Sequence, residues 1–273
     1  MSISDHDALP VGWTSACLPD LISQHGVLTD GDWVETEDQD PNGDVRLTQL
    51  ADVGDGVFRD RSNRFMTAAK AAELRCTFLQ RGDVLVARMP DPLGRACNFP
   101  GDPRPSVSVV DVCIVRPATE HLSSRWLMNF INAPDFRAAV ARLQSGSTRK
   151  RISKANLCTI QLPVPPAPEQ HRIVEAIESY VTRLDDAAAT LERVQRNLKR
   201  YRASVLEAAV EGRLVPTEAE LARAESRDYE PASMLLERIL AERRRRWHEA
   251  GGRGKYQEPV APDTTDLPEL PEG

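Results

Sequence analysis

"EQHRIVEAIESYVTRLDDAAATLERVQRNLKRYRASVLEAAVE", Glu169 to Glu211, runs without a glycine or a proline and decides how this chain is built. Positions 173, 177, 180, 184, 187, 191, 194, 198, 201, 205 and 208 follow a strict four-three spacing and carry Ile, Ile, Tyr, Leu, Ala, Leu, Val, Leu, Tyr, Val and Ala. An apolar residue at every a and d position predicts one continuous helix with a narrow seam. The flanking positions are mostly Glu, Arg, Asp and Lys, so the rest of its surface is wet. Such a helix is about 65 Å long at 1.5 Å per residue, more than any core in this chain can cover, so it calls for a second long helix. Ile173, Ile177, Tyr180, Leu184, Leu191, Val194, Leu198, Tyr201 and Val205 are the expected seam to that partner helix, and Gly212 is a natural stop.

Before the helix lies "LPVPPAP", Leu162 to Pro168, whose prolines exclude a helix interior and mark a hinge. From Trp13 to about Leu162 short runs are punctuated by Gly, Pro and Asp. "DVRLTQLADV" (44–53), "GDVLVARM" (82–89) and "VSVVDVCIVRP" (107–117) read as strands. "TAAKAAELRCTFL" (67–79) has helical composition, and "SSRWLMNFINAPDFRAAVARL" (123–143) reads as two helices broken near Pro134. Strands and helices mix without βαβ regularity, which predicts an α+β domain and not a doubly wound sheet. After Gly212, "SMLLERILAERRRRWHEA" (233–250) reads as a shorter helix, followed by a Gly- then Pro-rich tail of linker composition. The expected organisation is a disordered 1–8, a globular domain over 9–167, a long helix over 168–212, and a short helix with linker over 213–273.

Composition limits the function classes. The 273 residues are 41% hydrophobic, enough for one good core plus something extended. A net charge of −6 gives no global attraction to polyanions, so any nucleic-acid site must be a local basic patch. Cys17, Cys76, Cys97, Cys113 and Cys158 are odd in number and never in a C-x-x-C pair, which reads as buried thiols in a reducing cytoplasm. No signal sequence or membrane span is visible, and the chain reads as soluble, with no membrane partner. "DQDPNG" (38–43) matches the first half of an EF-hand loop. Its twelfth position is Gln49 and Pro41 sits inside it, so a turn into a strand is expected and no metal. No G-x-S-x-G, H-E-x-x-H, P-loop or G-x-G-x-x-G is present, and the five histidines are scattered. The chain reads as a non-enzyme with no catalytic residue and no cofactor of its own.

"RLQSGSTRKRISKANL", Arg142 to Leu157, stands out instead. Arg142, Arg149, Lys150, Arg151 and Lys154 are interleaved with Gly146, Ser147, Thr148 and Ser153. Small and hydroxyl residues let a backbone approach a phosphate, while Arg and Lys supply charge and, for Arg, a fork that fits guanine. A solvated basic loop would carry the same letters. "FRDRSNRF" (58–65) adds a weaker cluster, Arg59, Arg61 and Arg64.

Taken in order, these segments resemble the specificity subunit of type I restriction-modification systems. The family's target-recognition domains begin with LPxGW, as Leu9 to Trp13 do here, and carry a G-D-[IV]-L-[VI] strand, as in "GDVLVARM". They end in a G-S-T-x-[KR]-x-I-S-x-x-x-L loop, here "GSTRKRISKANL", and a P-x-P-P-x-x-E-Q-x-x-I-V lead into the long helix, here "PVPPAPEQHRIV". The resemblance runs from Leu9 to the end of the helix. It implies a DNA-reading domain without catalysis, serving modification subunits that bring S-adenosylmethionine and the chemistry. A restriction and translocation subunit joins through the complex. It also implies that two recognition domains, spaced by paired helices, read a bipartite duplex target. The final LPEG echoes LPVGW, so one recognition domain, one spacer helix and the start of a second repeat are expected. A second specificity chain or a homodimer would then supply the other half. The rival reading is an interaction scaffold that uses the long helix without binding DNA.

Overall fold

The computed structural model describes residues 9–147 and 149–260. The N-terminal 1–8, Thr148, and the expected second-repeat start in 267–273 lie outside the described residues. The chain divides after Thr182 into two compact units.

The first unit is α+β. Its elements run β1 (Thr14–Cys17), β2 (Val27–Asp30), β3 (Val45–Thr48), β4 (Phe65–Met66), α1 (Ala68–Glu73), β5 (Val84–Ala87), β6 (Ala96–Asn98), β7 (Ser106–Ser108) and β8 (Val112–Arg116). They continue through α2 (Ser124–Asn132), α3 (Pro134–Leu143), α4 (Lys154–Leu157) and β9 (Gln161–Val164) into α5 (Ala167–Val210). The central sheet is antiparallel in the order β2-β8-β5-β6, with Leu85 opposite Ile114 and Val84 opposite Val115. Its alternation feeds two cores. Val84, Val86, Cys113 and Val115 pack with Trp126, Leu127, Ile131 and Phe136 of α2 and α3. Leu85, Ala87, Val112 and Ile114 pack with Val53 and Phe99. Because both faces are covered, "VLVA" is apolar throughout instead of alternating.

A second sheet, β4-β3-β7, forms its own core from Val45, Leu47, Met66 and Val107 with Ala71 and Cys76. The apolar run 107–117 is therefore not one strand. It reverses at 109–112, where the Val112 N–H donates to the Val109 carbonyl, and its halves join different sheets. The helical composition of 67–79 also ends early. Arg75 takes φ 55°, and the N–H groups of Arg75 and Cys76 return to the carbonyls of Ala72 and Ala71, a Schellman stop made without glycine. The break at Pro134 is as expected: Pro134 opens α3 at its first position, where a missing N–H costs nothing. In "DQDPNG" the Asp40 carboxylate accepts the Asn42 N–H at 2.9 Å, a turn leading into β3.

β1 pairs with β9, Thr14 opposite Val164, bringing the start of the chain beside the hinge. In "LPVGW" the Trp13 N–H donates to the Pro10 carbonyl and Gly12 takes φ 87°, a turn in which glycine supplies the left-handed conformation. The helix α5 has 44 residues, about 66 Å. The globular unit keeps its first turns, since Val174 is buried and Ile173 packs on the α2–α3 core. Gln170 is 2% exposed and fully bonded. Its Oε1 accepts the Ser123 N–H at 2.8 Å, and its Nε2 donates to the Pro165 and His121 carbonyls. The E-Q of the hinge motif is thus a clamp between α5 and the start of α2.

The second unit holds the rest of α5, then α6 (Glu218–Glu225) and α7 (Ala232–Glu249). α5 stops at Gly212, φ 69°, with the Arg213 N–H returning to the Ala208 carbonyl. α6, unanticipated in the sequence, opens on a capping box in which Thr217 and Glu220 exchange hydrogen bonds, and it buries Ala219 and Ala222. α7 buries no residue along its length. Among the described residues no helix is long and apolar enough to cross a membrane.

Candidate nucleic-acid interface

The basic loop between α3 and α4 is a built structure. Ser145 and Arg151 exchange backbone hydrogen bonds of 2.8 and 2.9 Å, which close the loop at its base and leave Gly146, Ser147, Arg149 and Lys150 exposed. Gly146 sits at φ 94°, where a Cβ would lie 2.4 Å from the Arg149 carbonyl oxygen, so only glycine makes this turn. The next residue, Ile152, is fully buried and plugs the loop base into the α2–α3 core. Asn156 donates to the Leu143 carbonyl at 3.0 Å and joins the two helices across the base.

Arg88, the last residue of "GDVLVAR", ties this loop to the sheet. Its backbone carbonyl accepts the Ile152 N–H, and its guanidinium donates to the Val110 carbonyl at 2.7 Å and faces Asp30 at 3.1 Å. A neighbouring guanidinium, Arg95, is 4% exposed and donates to the carbonyls of Leu50, Val53, Met89 and Pro92. Burial, with Arg59 and Arg137 nearby, lowers its pKa. These two arginines hold the loop base and the segments around residues 50, 89 and 110 in one frame.

That frame encloses a cleft of about 950 Å³. The loop contributes Ser145, Gly146, Ser147, Arg149 and Arg151; distant segments contribute Asp32, Trp33, Gln49 and Asp111. Asp32 accepts the Thr77 N–H at 2.9 Å. Burial raises its pKa, opposed by that bond and one from Cys76. The Cys76 thiol is pushed up to about 11 by burial and by the Asp32 charge, so it stays protonated. Trp33 is 70% exposed, with its indole N–H on the Glu35 carboxylate at 3.0 Å.

Of the expected loop residues, Gly146, Ser147, Arg149 and Arg151 line the cleft. Lys150 is on the exposed tip, Arg142 is exposed at the end of α3, and Lys154 is half-buried at the start of α4. Ser153 caps α4, its hydroxyl accepting the Asn156 N–H at 3.1 Å. Thr148 lies outside the described residues. Arg59, Arg61 and Arg64 are exposed and are not among the residues that line the cleft; they lie on a segment organised by the buried Asp52. One Asp52 oxygen accepts the Arg61 and Ser62 N–H groups, each at 2.6 Å, and the other accepts the Gln49 N–H at 2.7 Å. The buried Arg46 joins this network, 3.7 Å from Asp52, 2.8 Å from Asp102 and in contact with Asp60. Sequence reasoning did not find Asp32, Trp33, Gln49 or Asp111. An exposed tryptophan has the same letter as a core one, and these residues meet the loop only through long-range folding.

The seam residues divide. Ile173 packs on the globular core, and Ile177 borders a groove with Met128 and Asn129 of α2. Tyr180, Leu184, Leu191, Val194, Leu198 and Tyr201 are each between 45% and 69% exposed. Val205 is half-buried in the second unit.

Residues 111–196 match the family model described as the type I restriction modification DNA specificity domain. The matched stretch of this chain is a type I specificity domain. The matched span takes in the basic loop, the hinge and the proximal α5. Curated relatives are similar to parts of this chain. The EcoBI specificity subunit of Escherichia coli is 33% identical over 103 residues, covering 38% of this chain and 21% of its own. The StySPI specificity subunit of Salmonella potsdam is 31% identical over 93 residues, covering 34% and 20%. Among solved structures, the HsdS subunit from Thermoanaerobacter tengcongensis has TM-score 0.54 at 22% identity, covering 77% of this chain and 48% of that one. A structure reported for assembly and conformational transition of a type I R-M system has TM-score 0.57 at 21% identity, covering 77% and 48%. The chain thus spans about half the length of these solved structures, and its matches cover about a fifth of these curated relatives.

Proposed function

We propose that this chain binds duplex DNA sequence-specifically and directs type I modification and restriction subunits to a bipartite target, contributing no catalytic group. The observation that carries the reading is the Ser145–Arg151 loop, an exposed basic tip on a buried base inside the region matching the DNA specificity domain. Arg149, Lys150 and Arg151 provide cations on an otherwise acidic chain, and Gly146 and Ser147 keep the adjacent backbone narrow. A preorganised loop of this kind loses little conformational entropy on meeting a phosphate. The S-adenosylmethionine and the methyl-transfer chemistry belong to the modification subunits in this reading.

The exposed α5 stripe favours a second reading, an interaction scaffold that holds protein partners and ignores DNA. Duplex binding measured across salt concentrations separates the two. A DNA reader loses affinity steeply with salt, whereas a scaffold has little affinity at any salt. In the Arg149→Ala/Lys150→Ala double variant the expected result is a weaker complex. The cost is about 1–3 kcal/mol for each lost base contact, or a salt slope smaller by about one for each lost phosphate contact. Unchanged affinity and slope in a folded double variant removes this loop from the interface.

A further inference from the structure

We propose that the cleft beside the basic loop sorts the two parts of a DNA strand by charge: Arg149 and Arg151 take the phosphates, while Asp111 and Trp33 read the adjacent base edges. This rests on the DNA-binding reading and names residues within it that set base preference. The lining combines the arginines of one loop with the carboxylates of Asp32 and Asp111 from distant segments. A uniformly acidic surface would repel a polyanion, and a uniformly basic one would grip it without regard to sequence. Both signs within one cleft orient the strand, since phosphate is held on the arginine part and excluded from the carboxylate part.

On the carboxylate part it is Asp111 that is unspent. The Asp111 side chain is half-buried and has no hydrogen-bond or ion-pair partner among the described residues. It can accept from an exocyclic amine, cytosine N4 or adenine N6. Asp32 is committed to the Thr77 N–H and the Cys76 thiol, so it shapes the wall and leaves reading to Asp111. Trp33 keeps its indole N–H on Glu35 and presents its ring, the right surface for a thymine methyl or a base edge. A cleft of about 950 Å³ holds the rim of one strand and not a whole turn of duplex, which fits recognition of a few neighbouring bases.

The test is selection from a pool of random-sequence duplexes with the full chain, comparing wild type, Asp111→Asn, Trp33→Ala and Arg149→Ala/Lys150→Ala. Circular dichroism confirms that each variant folds. The wild type is expected to select a consensus. Asp111→Asn keeps the shape but adds a donor, and should shift preference at one or two adjacent positions by about ten-fold or more, with the salt slope unchanged. Trp33→Ala should relax preference at a neighbouring position. The loop variant should lower affinity with its consensus retained. If Asp111→Asn and Trp33→Ala both keep the wild-type consensus at every position, the sorting proposal is overturned and DNA reading stands. If the wild type itself selects nothing and binds no duplex at low salt, the DNA reading fails and takes this proposal with it.

Discussion

Arg46 and Asp102 show how a single buried charge sets a surface. Arg46 brings a guanidinium into the protein, where Asp52, Asp60 and Asp102 surround it and the Phe58 ring lies 5.6 Å away. The cluster secures the segment that exposes Arg59, Arg61 and Arg64. Burial works to raise the Asp102 pKa, but hydrogen bonds and charge from Arg46 and Arg104 outweigh it and hold the carboxyl below the usual range. A carboxylate with a depressed folded-state pKa contributes stability above its unfolded value of about 3.9, and that contribution disappears as pH falls through the folded value. Wild type should therefore lose stability more steeply than Asp102→Asn below about pH 5. The variant is the weaker of the two at neutral pH, and the curves draw together in acid. Urea unfolding across pH measures this; a constant offset at every pH would show that the Asp102 charge is not what Arg46 holds.

At the scale of elements, legibility followed how local the determinants are. The long helix could be read because its period, its proline hinge and its Gly212 stop are all in the sequence within a few residues of where they act. The α2–α3 break is likewise set by one proline. Residues 107–117 misled because the turn at 109–112 contains no glycine or proline, and the two halves separate only when β3 and β5 claim them as partners. The stop after α1 fell on Arg75, a residue with no C-cap signature. The basic loop was visible as composition, but the cleft it borders was not, since Trp33 and Asp111 reach it only through sheet pairing. The exposed part of α5 gives an element-scale prediction. Leu184 and Leu191 are 69% and 64% exposed, so Leu184→Asp/Leu191→Asp should leave thermal unfolding of the isolated chain nearly unchanged. In a partner seam the same charges would be desolvated without compensation, and co-purification with a modification subunit or a second specificity chain should fail. Assembly that survives the double change would place the seam elsewhere.

For the whole molecule, the proposed DNA reading and symmetry together predict the form of the target. A bipartite site needs two readers, and this chain spans about half the length of the solved specificity structures it resembles. Two identical chains paired through an antiparallel α5 seam would be related by a two-fold axis, each presenting the same loop and cleft to the duplex. Identical readers in opposite orientation select identical half-sites in opposite orientation, so the expected target is an interrupted palindrome. Two different recognition domains would select an asymmetric site. Methylation mapping in cells that supply the modification subunit and this chain as sole specificity subunit distinguishes them. A palindromic motif supports the homodimer, and the Leu184→Asp/Leu191→Asp chain should then give no methylation. An asymmetric bipartite motif would require a partner with a different recognition domain. No motif at all, together with intact co-purification of the modification subunit, would favour the scaffold.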